Sequence, residues 1–118
     1  MNSEELKKRT KTFALQVISL VEGLPKTLTG KVIGNQLIRS GTSVGANYRA
    51  ACRAKSKADF INKLKIVEEE ADESIYWMEL LEEAKVVESS KLNRLKKEAD
   101  ELLAIFVSSI KKAKGIND

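Results

Sequence analysis

Four segments of this sequence carry apolar residues at spacings of three and four, and only short breaks separate them. Such spacing places the apolar side chains on one face of a helix. The single proline, Pro25, lies in the first break, and no useful stretch alternates apolar and polar residues as a half-buried strand would. The pattern therefore predicts an all-α chain of four long helices, at about residues 4–23, 30–54, 57–85 and 90–114.

Residues that favour helix ends flank these segments. Ser3 and Thr29 are the predicted N-caps of the first two helices, and Ser56 opens a capping-box pattern before the third. Gly115 follows the fourth segment as a C-terminal stop. Because the breaks are short, we expect an antiparallel up-down-up-down four-helix bundle that forms a single domain over residues 1–118.

The interior of the second segment contains three glycines, each of which costs a helix about 1 kcal/mol relative to alanine. At spacings of seven and four they lie on one side of the helix, where small residues let another helix approach closely. We interpret the stretch as a helix-packing motif, whose members are Gly34, Ser40, Gly41, Ser43, Gly45 and Asn47.

Residues 41–45 also match the G-x-S-x-G pattern of serine hydrolases. That motif requires a strand-to-helix turn and a histidine base, whereas this stretch lies within a predicted helix and the chain has no histidine. The acidic run 68–73 resembles a set of metal ligands, but carboxylate-bridged metal bundles also need histidines. A solvated acidic face, or ion pairs between subunits, explains the run better. We expect no enzymatic activity, no metal and no cofactor.

Charge is distributed in blocks along the chain, whose net charge is +4. Residues 31–65 carry eight Lys or Arg and one acid, whereas residues 66–88 carry nine acids and one base. The basic residues that face away from the apolar side of the second helix, or follow it, are candidates for contact with nucleic-acid phosphates. They are Lys31, Arg39, Arg49, Arg53, Lys55 and Lys57. The alternative is a solvated face that pairs with the acids of the third helix, and no motif for reading bases is present.

A second apolar stripe, which contains the only tryptophan, lies opposite the main apolar face of the third helix. Large exposed apolar patches mark contacts with other molecules, so we predict a subunit interface there. The alternative is chance exposure, which is common for scattered apolar residues. The predicted interface residues are Ile66, Glu73, Trp77 and Leu80.

The chain has no segment typical of membrane insertion or export. Its longest apolar run, 102–107, is far shorter than a membrane span, and the charged N-terminus lacks the apolar core of a signal peptide. Cys52 is the only cysteine, which is typical of a reducing compartment. We expect a cytoplasmic protein that does not contact membranes.

Three stretches, 39–49, 53–61 and 76–81, resemble the bacterial four-helix-bundle proteins, also called the intervening-sequence proteins of large-subunit ribosomal RNA. The resemblance covers nearly the whole chain. The positions that match the family's motif are Arg39, Ser40, Ser43 and Asn47, and Glu73 stands where the family usually keeps a glutamate.

Ala50 departs from the family pattern, because many members carry a glutamate after the residue that matches Arg49. If that glutamate pairs with a motif arginine in relatives, the pairing is missing here. The resemblance therefore leaves the role of Arg39 open.

The resemblance implies a four-helix protomer that assembles as a homopentamer and has no established enzymatic activity. Some members of the family are encoded within insertions in ribosomal RNA genes. A relative, the accessory variability determinant of diversity-generating retroelements, is a basic pentamer that binds nucleic acid and a reverse transcriptase. We therefore expect self-association and contact with RNA, another nucleic acid or a protein that processes it. The alternative is a protein-partner adaptor or structural assembly without nucleic-acid contact.

Overall fold

The computed structural model describes residues 1–116 and contains four α-helices and no strand within them. In chain order they are α1 Ser3–Glu22, α2 Leu28–Cys52, α3 Lys57–Glu83 and α4 Ser89–Lys114. They form an elongated body of 45 × 26 × 21 Å. The prediction of an all-α chain with four helices is confirmed.

Each helix packs against the next one along the chain, and α1 makes a smaller contact with α4. The four helices share one hydrophobic core, and the fully buried side chains in it include Phe13, Leu37, Met78 and Phe106, one from each helix. Burying a side chain of this size stabilises the fold by about 1.5–3 kcal/mol. None of the helices described is long and apolar enough to cross a bilayer.

The starts of α1 and α2 differ from the predictions by one or two residues, because other side chains reach the unpaired N–H groups of the first turns. Asn2, and not the predicted Ser3, caps α1 by accepting a backbone hydrogen bond at 2.8 Å. Thr27, and not the predicted Thr29, caps α2 in the same way at 3.1 Å. Ser56 caps α3 as predicted, again at 3.1 Å.

Two helix ends use the left-handed backbone conformation. Gly115 ends α4 with φ of 77°, which a glycine adopts without strain. Lys85 follows the C-cap of α3 and has a φ of 59°. Among the described residues it is the only non-glycine residue with a positive φ. A side chain with a Cβ in this region costs about 1–2 kcal/mol, so the end of α3 is held under local strain.

Candidate nucleic-acid interface

The glycines of α2 lie against α1 and let the two helices approach closely. A Cβ placed on Gly41 would lie 2.9 Å from both methyl carbons of Val17, well inside ordinary contact distance. A Cβ on Gly45 would lie 3.2 Å from the hydroxyl oxygen of the buried Thr10. Glycine at these positions therefore sets the separation of α1 and α2.

This close crossing forms the floor of a basic groove between the two helices. The groove has a volume of about 490 Å³, and its small floor residues are Ala14, Thr42, Gly45 and Ala46. The cations that line it are Lys7, Lys8, Lys11 and Arg49. Among the described residues that line the groove, Glu4 is the only acid, and its carboxylate forms an ion pair of 3.1 Å with Lys7.

Contacts between helices gather further basic segments at the same end of the bundle. The ring of Tyr48, near the end of α2, lies 5.9 Å from the ring of Phe106 in the C-terminal half of α4. Burial raises the pKa of Tyr48. Glu4 and Arg49 line the same groove, so the first turn of α1 lies beside the end of α2. The short connection 53–56 adds the start of α3.

We call residues 3–11, 49–65 and 104–116 the basic end. These segments contain thirteen Lys or Arg and three Asp or Glu, whereas the rest of the chain contains eight Lys or Arg and fourteen Asp or Glu. Positive charge therefore predominates in these segments, although Arg9 among them is paired with Glu98 and Glu101, which lie in the rest of the chain. A net charge of +4 for the whole chain conceals this difference.

The structure brings together most of the predicted basic residues, but not all of them. Arg49, Arg53, Lys55 and Lys57 are exposed at the basic end. Lys31 lies beside the α1–α2 connection, eighteen residues before Arg49 and therefore about 27 Å from it along the helix. The two do not share a groove.

Sequence reasoning did not include the lysines of α1 in this site. Lys7, Lys8 and Lys11 are separated from Arg49 by about forty residues, and only the packing of α1 against α2 brings them together. A cluster of cations away from the apolar face of α1 was the available signal. Without the packing of α1 against α2, the sequence does not show that these lysines lie beside Arg49.

Arg39 lies between Lys31 and Arg49 on α2, is exposed, and its charge acts on Glu70 of α3. Burial raises the pKa of Glu70, as does the charge of Glu73, while the hydroxyl of Ser43 and the charge of Arg39 lower it by less. Ala50 is eleven residues from Arg39, about 16 Å along α2, so no side chain at position 50 can reach Arg39 within one chain. Glu70 supplies the nearby negative charge instead.

The polar members of the motif are used within the bundle. The hydroxyl of Ser74 on α3 donates to Ser40 Oγ at 3.0 Å, which joins the two helices inside the core. Ser43 donates to the carbonyl of Arg39 at 2.7 Å, and the amide of Asn47 donates to the carbonyl of Ser43 at 2.8 Å. The serine of the G-x-S-x-G match thus bonds back to its own helix.

The predicted interface residues on α3 lie beside the core and not opposite it. Trp77 and Leu80 are half-buried, and Trp77 packs against the core, because this stripe flanks the main apolar face. The Trp77 indole donates to Glu73 Oε1 at 3.4 Å. Ile66 is 43% exposed, and Tyr76, which the prediction omitted, is 51% exposed and touches the edge of Trp77.

Within residues 1–116, no three His, Cys, Asp or Glu side chains converge in a way that could hold a metal ion. The acidic side chains of residues 68–73 point in different directions around α3, because successive residues of a helix are rotated by about 100°. Cys52 is a free, half-buried thiol.

Comparison with known proteins places these features in a family. Residues 3–108 match the model of the 23S rRNA-intervening sequence proteins. A protein of unknown function from the S23 ribosomal protein family of Bacteroides thetaiotaomicron, whose crystal structure was solved at 1.70 Å, has a similar fold with a TM-score of 0.87. The two sequences are 36% identical, and the match covers 94% of this chain and 99% of the other. No functionally curated protein matches this sequence significantly.

Proposed function

Because the chain belongs to the 23S rRNA-intervening sequence protein family, we propose that it is an oligomeric, non-enzymatic bundle that binds nucleic acid, RNA in the first place, through its basic end. The observation that carries the proposal is the collection of thirteen Lys or Arg against three acids at this end. A cation cluster of this kind neutralises phosphates and releases their counterions. The groove beside Arg49 offers a concave surface for a phosphate backbone.

The proposal includes an antiparallel up-down-up-down arrangement of the helices. Its support comes from the contacts of the glycines of α2 with α1: Gly34 faces Val21, Gly41 faces Val17, and Gly45 faces Thr10. Later residues of α2 therefore contact earlier residues of α1, as expected for two antiparallel helices. The short connections 53–56 and 84–88 favour the same reversal at the later turns.

Assembly as a homopentamer, which the family resemblance implies, would strengthen nucleic-acid binding. In a cyclic ring every copy points its basic end to the same side. Several weak phosphate-binding surfaces on one side act together by multivalency. The partly exposed stripe of Ile66, Trp77 and Leu80, with the exposed Tyr76, supports a subunit contact on this side of α3.

The test compares two sets of three charge reversals in the full chain. Lys8→Glu, Lys11→Glu and Arg49→Glu alter the basic end, and Lys26→Glu, Lys31→Glu and Lys97→Glu are the matched control elsewhere. Fluorescence anisotropy with a labelled RNA of about 20 nucleotides measures affinity between about 50 and 200 mM salt. We expect the basic-end set to reduce affinity at least about 100-fold at low salt and to lower the slope of log affinity against log salt by about two released ions.

The control set is expected to change affinity much less, since its residues lie outside the basic end. Lys31 belongs to the stripe predicted from sequence, so the comparison also separates that stripe from the basic end. Equal losses in the two sets would contradict a localised site. Light scattering measures the assembly, and a monomer at micromolar concentration would remove the multivalent part of the proposal.

A protein-partner adaptor without nucleic-acid contact is the second candidate. The exposed apolar side chains Leu28, Val32 and Tyr76, at 79%, 52% and 51% exposure, favour it. It predicts no RNA binding even at low salt and a stable complex with another protein.

A further inference from the structure

The side of the bundle between α1 and α4 is the least packed of its four sides. Near the start of α1 the two helices are held by Arg9, which makes two hydrogen bonds of 2.7 Å to Glu98 and lies 3.3 Å from Glu101. From this contact toward the end of α1 and the start of α4 runs an open groove with a volume of about 620 Å³. We call it the α1–α4 groove.

Cations dominate the charge of the α1–α4 groove. Its charged lining residues are Arg9, Lys91, Arg94 and Glu98. Among the described residues that line the groove, Glu98 is the only acid. Both of its carboxylate oxygens already accept hydrogen bonds from Arg9. Lys91 and Arg94 are exposed, so the wall formed by α4 presents positive charge to a ligand.

The same groove has an apolar floor. Leu20 and Leu95 line it, and it continues into a second cavity of about 350 Å³ that shares Ser19, Leu20 and Lys91 with it. In that continuation Val86 and Val87 are half-buried, and the exposed Glu88 is its lining carboxylate, so the positive charge lies at Lys91 and Arg94. A ligand that fills the groove therefore needs apolar groups on one side and negative charge on the other.

We propose that the α1–α4 groove binds an acidic amphipathic helix from a partner protein. The stretch of α1 from Arg9 to Leu20 is about 16 Å long, which matches three turns of a bound helix. Apolar side chains of that helix pack on Leu20 and Leu95, and its carboxylates face Lys91 and Arg94. Nucleic acid fits this groove less well than the basic end, because three cations line it and Arg9 is already paired with Glu98, whereas four cations line the groove beside Arg49.

The test uses a fluorescein-labelled peptide of about 14 residues with leucines on one helical face and glutamates elsewhere. A second peptide of identical composition spreads the leucines around the helix. Fluorescence anisotropy with the full chain is expected to show binding of the amphipathic peptide and at least about tenfold weaker binding of the second one. Equal binding of the two peptides, or no binding of either, overturns the proposal.

Variants locate the site. Lys91→Glu with Arg94→Glu is expected to weaken peptide binding by about tenfold or more, whereas Lys97→Glu with Lys31→Glu makes the same charge change outside the groove and leaves binding within about twofold. Gln16→Trp fills the groove from an exposed position without changing its charge and is expected to weaken binding as well. Circular dichroism melting curves confirm that each variant is folded. Equal losses in the groove and control variants overturn the proposal.

The other possible occupants give different results in the same experiments. Loss of the assembled state by light scattering in the Lys91→Glu, Arg94→Glu variant would assign the groove to a second copy of this chain. Loss of RNA binding in that variant would assign it to nucleic acid. If the peptide still binds after charge reversal of Lys8, Lys11 and Arg49, the α1–α4 groove acts independently of the basic end. The two proposals are then tested separately.

Discussion

Replacing Gly41 by alanine tests how closely α1 and α2 cross. The new Cβ would lie 2.9 Å from both Cγ atoms of Val17 and 3.1 Å from its Cβ. Val17 is completely buried, and a β-branched side chain in a helix has one strongly preferred rotamer. Its methyl groups therefore cannot turn away, and the helices must shift to admit the alanine.

Two opposing effects set the size of the change. Alanine favours the helical state over glycine by about 1 kcal/mol, and overpacking a core costs about 1–3 kcal/mol. Since two methyl carbons and a Cβ all lie too close, we expect the steric effect to dominate and the free energy of unfolding to fall by about 1–2 kcal/mol. Urea titration followed by circular dichroism, at one fixed protein concentration, measures this change, and the m-value should stay constant.

A second substitution isolates the contact. Val17→Ala removes both Cγ atoms but keeps the Cβ at 3.1 Å, so in that background the cost of Gly41→Ala should fall to about zero, because helix propensity offsets the remaining contact. The double-mutant cycle then gives a coupling energy of about 1–2 kcal/mol. Gly34→Ala is expected to cost less than Gly41→Ala, because one of its two neighbours is the flexible end of Leu24, at 3.1 Å. If Gly41→Ala alone stabilised the protein by the full propensity value, the close crossing of α1 and α2 would be refuted.

Three further predictions concern single side chains. Because burial raises the pKa of Glu70, the free energy of unfolding is lowered as pH rises through that pKa. Glu70→Gln should therefore stabilise the protein near about pH 7, with the advantage vanishing below the ordinary glutamate pKa of about 4.3. Urea titrations across pH measure this trend, and a stability difference that does not change with pH would contradict it. Ser56→Ala removes the N-cap of α3 and should cost about 1 kcal/mol, while Ser90→Ala should stay within about 0.5 kcal/mol; equal costs would argue against the cap. Lys85→Gly relieves the positive φ at the end of α3 and should raise the free energy of unfolding by about 0.5–1 kcal/mol, and a loss of stability would show that the lysine side chain contributes more than the strain costs.

Helix content was predictable because it depends on local sequence. The apolar spacing around Phe13, Leu37, Met78 and Phe106 marks the buried face of each helix without knowledge of any partner. The caps were harder, since Asn2 and Thr27 compete with neighbouring Ser3 and Thr29 for the same N–H groups. The residue whose backbone is extended just before the first turn becomes the cap, and in this structure those residues are Asn2 and Thr27.

The candidate site was predictable only in part. Arg49, Arg53, Lys55 and Lys57 are close in sequence, so their grouping at one turn follows from the chain itself. Lys31 belongs to the same helical face but lies about 27 Å away, because spacing on one face says nothing about distance along the helix. The influence of the charge of Arg39 on the pKa of Glu70 also depends on the packing of α2 against α3.

The sequence alone determined that this chain forms four helices with one apolar face each, and that glycines on α2 admit a close neighbour. Periodicity and glycine content are properties of a few consecutive turns, so they can be read without a fold. Only the tertiary structure decided that α1 is that neighbour, that its lysines join Arg49 at one end, and that α1 and α4 leave a groove between them. These features are distances between residues remote in the chain, which side-chain packing sets and the local pattern does not contain.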